Sequence, residues 1–296
     1  MRGVLVAVLI LAPLTVAVAD VSKVLAEADA LHAQGSYADA VTRLLAAVGS
    51  ASGGKELAEL YWRASRETLE IGDEADAAGK PQADVLDIFT RGEGFADKAI
   101  AADPGNDLGY YWKSANIGRG GQVKGVVNSL FKAAPMRDLL VKELSLNPDR
   151  ADAYYVLGEL YRELPGWPVS FGDLDAAVSL GRRAVDDRQR QVQQGTEPER
   201  VYNFSTELAK SLYKRAWSAS ARASGQRDKA ARLASASTPL QKASLYEASI
   251  TLSDQSDREE AKSIVQEVVR TLSGLPSLTA PQKKDLQKAK DVLKGW

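Results

Sequence analysis

Apolar and small residues recur three and four positions apart along most of the chain, the spacing that lines one face of an α-helix. From Val21, the positions Ala28, Leu31, Tyr37, Ala40, Leu44 and Ala47 read as two short helices broken at Gly35-Ser-Tyr37 and closed by Ser50-Ala-Ser-Gly-Gly54. Lys55 to about Ala78 reads as a longer helix with Leu57, Leu60, Tyr61, Ala64 and Leu69 on one side, ended by Gly79-Lys-Pro81. Gln82 to Ala102 reads as the next, stopping at Asp103-Pro104-Gly105. No run alternates apolar and polar residues between turns, so the whole chain is predicted to be all-α.

Further along, the stretch Asn147-Pro-Asp-Arg-Ala-Asp-Ala-Tyr-Tyr-Val-Leu-Gly-Glu-Leu-Tyr161 fixes the phase of the pattern. Tyr154, Leu157, Gly158 and Tyr161 fill the aromatic-x₂-Leu-Gly-x₂-Tyr frame of a tetratricopeptide first helix, and Pro148 stands where the preceding repeat ends, as Pro104 does one unit earlier. The predicted architecture is therefore a tetratricopeptide-like α-solenoid over residues 20–195, built from helix-turn-helix repeats. Two units depart from the standard length at the turn between their helices. After Tyr110-Tyr-Trp112-Lys-Ser-Ala-Asn116, the turn is replaced by Ile117-Gly-Arg-Gly-Gly-Gln-Val-Lys-Gly125 and an apolar stretch to Ala134, with Pro135 ahead of a helix from Met136 to Leu146. In the next unit the turn is Leu164-Pro-Gly-Trp167-Pro-Val-Ser-Phe171-Gly-Asp173. Insertions in repeat proteins cluster on one face, often the binding face, so these two segments are expected to lie side by side on a rim and carry function.

Residues 196–296 read as further helices forming a cap, because the last open pair of a solenoid would otherwise expose its apolar face. Thr196-Glu-Pro-Glu199, Ser256-Asp-Arg-Glu259 and Thr279-Ala-Pro-Gln282 have the spacing of capping boxes, which start helices. The first is expected to open a helix through Phe204, Leu208 and Leu212.

The ends and the composition narrow the setting. Met1-Arg2, the apolar run Val4 to Leu14 and the small residues Ala17-Val-Ala19 read as a secretory signal cut after Ala19, so residues 1–19 are set apart from the fold. The expected location is the periplasm or outside the cell, with no stable membrane span once the signal is removed. The chain holds 38 Lys and Arg against 39 Asp and Glu; taking away Arg2 leaves 37 against 39, a net charge of −2. That balance offers no basic face for nucleic acid. Absence of cysteine removes disulfides, thiolate metal sites, cysteine nucleophiles and an acylated N-terminus together.

With one histidine and no cysteine, acid-base and metal equipment is sparse, and neither an enzyme, a metal nor a cofactor is predicted. His32 reads as a partly packed repeat residue. The pairs Asp186-Asp187 and Glu259-Glu260 and the run Asp73-Glu-Ala-Asp76 read as solvated helix faces. The glycine-rich segment has neither the Gly-x₄-Gly-Lys spacing of a phosphate loop nor a dinucleotide turn after a strand, and reads first as a flexible connection. Its cations Arg119 and Lys124 could still meet an anionic ligand such as a carboxylate. Tyr110, Tyr111, Trp112, Tyr154, Tyr155, Trp167 and Phe171 exceed what a repeat core needs, which adds a groove for an apolar ligand or partner to the expectation. The candidate site is thus Trp112 as apolar wall, Asn116 as hydrogen-bonding group, Lys124 with Arg119 as anion contact, and Trp167 and Phe171 on the second segment.

Within residues 85 to 185 the chain resembles a known family. Tyr111-Trp112-x₂-Ala115-Asn116-x-Gly118, Lys124-Gly-x₃-Ser129-Leu130, Asn147-Pro148 and Leu164-Pro165-Gly166 with Phe171-Gly172-Asp173 are similar to the TatT component associated with tripartite ATP-independent periplasmic (TRAP) transporters. A related pattern occurs in the regulator of microtubule dynamics family. The resemblance implies a periplasmic helical-repeat protein that associates with a solute-binding subunit and holds a small organic ligand. Some relatives are anchored lipoproteins, whereas this chain has no cysteine to acylate. The rival expectation is a structural adaptor of the cell envelope with no small-molecule site; the oligomeric state, a homo-oligomer included, stays open.

Overall fold

The computed structural model describes residues 20–197 and 201–296. The signal read at 1–19 lies outside the described residues, as do Pro198 and Glu199 of the first predicted cap. Thirteen α-helices run through the described residues, and no strand occurs among them. The all-α helical-repeat solenoid is what the structure shows.

Helices α1 (Val21–Ala33) and α2 (Tyr37–Ala46) form the first hairpin, turning at Gly35, whose φ of 77° suits glycine. They bury Val24, Ala28, Ala40 and Leu44 against Leu60 and Ala64 of α3 (Gly54–Ala77). Helix α4 (Gln82–Ala102) returns along α3, so the two predicted helices of the second unit have the predicted bounds to within a residue.

The third unit differs from its prediction. α5 runs unbroken over Asp107–Lys124, a single glycine turns the chain, and α6 covers Val126–Leu146 with Pro135 inside it. The supposed flexible segment 117–134 is therefore two helices meeting at Gly125, whose φ of 94° only glycine adopts comfortably. Gly118, Gly120 and Gly121 each cost a helix about 1 kcal/mol relative to alanine. Packing outweighs that cost. α5 is covered by α3, α4 and α6, and a methyl group at Gly118 would stand 2.7 Å from the Met136 Cε. A helix surrounded on several sides needs small residues where its neighbours come close, and this is what made the segment look like a loop.

α7 (Ala151–Glu163) and α8 (Leu174–Gln193) form the fourth hairpin, crossing at the frame glycine Gly158, whose Cα faces Ala177 and Gly181. Their connection, 164–173, is the extended irregular turn that the sequence predicts, and it contains the cis Trp167–Pro168 bond. Tyr154 and Leu157 are buried with Leu140 and Leu144 of α6 and Leu180 of α8.

The remaining helices are α9 (Tyr202–Arg215), α10 (Ala219–Leu233), the short α11 (Pro239–Ser244), α12 (Asp257–Ser273) and α13 (Ala280–Lys294). α9 lies on α8, and α12 and α13 cover its other side with Val265, Val268 and Ala289 around Leu208 and Leu212. Both capping boxes at Ser256 and Thr279 form as read. A third, Thr238 with Gln241, opens α11. Among the described residues no helix is long and apolar enough to cross a membrane.

Candidate functional site

α6 and α7 diverge from a tight corner. Asn147 to Arg150 join them, and there Asp107 of α5 accepts from Arg150 Nη2 at 2.5 Å and from Asn147 Nδ2 at 3.0 Å. Next to the corner Leu140 and Leu144 pack against Ala153, Tyr154 and Leu157. Away from it the helices splay, leaving a cavity of about 350 Å³ that opens to solvent. Met136 and Ala133 of α6 form one wall, Val156 and Leu160 of α7 the other, and Ile117 and Gly118 of α5 the floor. Leu164, first residue of the irregular turn, closes one end. The volume lies within the range of roughly 300–1,000 Å³ usual for small-molecule sites.

Polar groups are few and placed at the edges. Lys132 and Glu163 are exposed at the mouth, while Glu159 sits in the wall with 32% of its side chain exposed. Burial and the Glu207 carboxylate behind it push the Glu159 carboxyl up to about 7. Glu207 goes the other way: burial opposes its charge, but Arg162, Lys288 and Lys210 hold it down to about 2. One carboxyl of the pair is thus a firm anion and the other is divided between forms near neutrality.

None of the six residues singled out in the sequence lines this cavity, although their neighbours Ile117, Gly118 and Leu164 do. Trp112 packs on Leu69, Val85 and Phe89, on the side of α5 that faces α3 and α4. Asn116 is fully buried and ties three helices together. Its Nδ2 donates to Ser65 Oγ at 3.0 Å and to the Trp112 carbonyl at 2.9 Å, and Ser65 Oγ donates to the Gly92 carbonyl at 2.8 Å. A methyl group at Gly92 would collide with the Asn116 amide. Arg119 is held by Asp73 at 2.6 Å and by Gln122. Lys124 is exposed at the last turn of α5.

The second segment behaves otherwise. Trp167 is 89% exposed and Val169 75%, whereas Phe171 stacks edge-on to Tyr161 and lies under the Arg137 guanidinium at 4.6 Å. Arg137 follows Met136 on α6, so this turn caps the splayed end of the cavity. Phe131, next to Lys132 in sequence, is 80% exposed. The two segments do meet at a rim, but as a pair of helices and one turn rather than as two loops.

Several acids read as solvated are partnered. Asp187 is buried and accepts from Arg183 Nε at 2.6 Å, Asp186 accepts from the Tyr246 hydroxyl at 2.9 Å, and Glu260 joins an ion network with Arg182 and Arg222. Asp73 and Asp76 hold Arg119. His32 pairs through Nδ1 with the buried Glu67 at 2.8 Å, a partly packed repeat residue as read. Among the described residues no group of three or more His, Asp or Glu is placed to hold a metal.

Glu159, Met136 and Leu160 were not singled out in the sequence, where they occupy ordinary helical positions.

Residues 24–166 match the family described as regulator of microtubule dynamics protein 1–3. The match runs from α1 to the start of the irregular turn after α7, just under half of the chain, and includes the whole of the cavity's lining. No curated protein matches the chain. Over those residues the chain is similar to that family.

Proposed function

We propose that this is a non-catalytic, exported binding protein of the tetratricopeptide kind, which takes a small organic molecule into the cavity between α5, α6 and α7. The observation that carries the reading is the cavity itself: apolar walls, a few polar groups at the edges, and an opening beside the irregular turn 164–173. The residues that resemble the TatT component flank it, which supports association with a periplasmic solute-binding subunit of a TRAP-type transporter. Trp167 and Val169, exposed on the turn that Leu164 begins, suit a protein partner. The adaptor reading would need a groove without an enclosed pocket, and for that reason it is second.

Native mass spectrometry of freshly purified protein tests this reading. A co-purifying small molecule on the wild-type chain, lost in Leu160→Trp with the helical circular dichroism unchanged, is the expected result. A bare chain that also takes up no added alkyl ligand counts against it.

A further inference from the structure

Glu159 lines the wall with Val156 and Leu160, and its only ion pair among the described residues is a long one. Arg162, one turn on, comes no closer than 3.7 Å, because its guanidinium is committed elsewhere. Nη2 donates to Glu207 at 2.5 Å, Nε to Glu163 at 2.6 Å and Nη1 to the Glu207 carbonyl at 2.9 Å. Lys288 of α13 and Lys210 of α9 close on Glu207 at 2.5 and 3.0 Å, and Lys214 lies 3.5 Å from Glu163. The Tyr155 hydroxyl beside Glu159 is neutral and bonds to it, and the Glu159 and Glu207 carboxyls share a hydrogen bond. On the open side the charged neighbours are Lys132 of α6 and Glu163, both exposed at the mouth. The cations behind the wall thus make their close contacts with Glu207 and Glu163, and Glu159, which lines the cavity, is left with the more distant Arg162.

We propose that the cavity selects an amphipathic cation, an alkyl or ring body carrying an ammonium or guanidinium group, with its apolar part against Ile117, Met136, Val156 and Leu160 and its charge on the Glu159 carboxylate. The ligand then offers Glu159 a closer cation than Arg162 does, at a wall only partly open to water. An anion would lie beside a carboxyl of its own sign. Only ionised Glu159 attracts the cation, so affinity rises as the pH passes upward through about 7. A bound cation in turn draws the carboxyl toward ionisation, as linkage requires. This inference rests on the cavity being the binding site.

Titration calorimetry of the whole protein with octyltrimethylammonium, 1-octanol and octanoate separates the alternatives, at about pH 6 and about pH 8, either side of the Glu159 midpoint. At the higher pH the cation is expected to bind roughly tenfold or more tightly than the alcohol, with octanoate weakest. Lowering the pH should weaken the cation several-fold and leave the alcohol unchanged. Glu159→Gln should bring cation and alcohol to similar affinities and abolish the pH dependence, its unchanged alcohol binding showing that the pocket is intact. Octanoate binding as tightly as the cation, or a cation preference that survives in Glu159→Gln, overturns the charge assignment while the cavity stands. Failure of all three compounds to bind overturns the cavity and this inference with it.

Discussion

Two seams of the solenoid are closed by opposite means. Between α6 and α7 the contact is apolar near the corner and then opens, so the helices enclose space. Where α8, α9, α10 and α12 converge, eight charged side chains fill the gap. Arg215 reaches Asp257 at 2.8 Å and Asp175 and Glu247 at 2.7 Å each; Arg182 meets Glu247 at 2.9 Å and Glu260 at 2.7 Å. Lys229 bridges Asp175 and Glu247, both at 2.5 Å, and Arg222 joins Asp257 and Glu260. Four cations face four anions, so the cluster is neutral. Burial works against the Arg215 charge, yet Asp257 and Glu247 hold the proton on more firmly than in water, and Glu247 is correspondingly held well below the usual carboxylate range. The contrast shows where the fold tolerates a guest: a void between apolar walls can be filled by a ligand, whereas a satisfied ion cluster has no vacancy to offer.

The largest test of that contrast is Arg215→Ala. Removing Arg215 leaves four buried acids facing three cations, and a loss of about 3–5 kcal/mol is expected from chemical denaturation. A loss below about 1 kcal/mol would mean that the cluster is wet and the seams are alike. At the open seam, Met136→Ala removes a side chain that already faces empty space on one side. It should cost about 2 kcal/mol, at the low end for truncating a buried large side chain, and less than Leu212→Ala in the closed half. Equal costs would show that the cavity collapses in solution. The smallest effect is expected for Trp167→Ala, within about 0.5 kcal/mol of wild type, since the indole is bound to little of its own chain. A larger loss would place this side chain against the fold, and the rim would be less open than described.

How far the sequence announced this arrangement depended on how local the cause was. α3 and α4 were legible because periodicity, glycine and proline all act within a few residues, and so were the caps at Ser256 and Thr279. The cap at Thr238 has the same spacing, but the helices on either side of it, α10 and α11, carry too few periodic apolar residues to mark their own bounds. The segment from Ile117 to Ala134 misled because its glycines answer to neighbours on other helices, Met136 above all, and not to a turn. Asn116 stood out correctly as an unusual residue for a repeat, yet what it does is bind Ser65 across two helices, a partner 51 positions away. Glu159 gave no local sign, because its role comes from what Arg162 prefers to bind.

The ion cluster also acts on the geometry as a register pin. An apolar seam can slide by part of a turn and still bury oil against oil. A helix displaced along its neighbour by one turn, about 5.4 Å, would carry every charge of the cluster past its partner. α8, α9, α10 and α12 can therefore meet in one alignment only, which gives α7, packed on α8, a fixed abutment on the side away from the cavity.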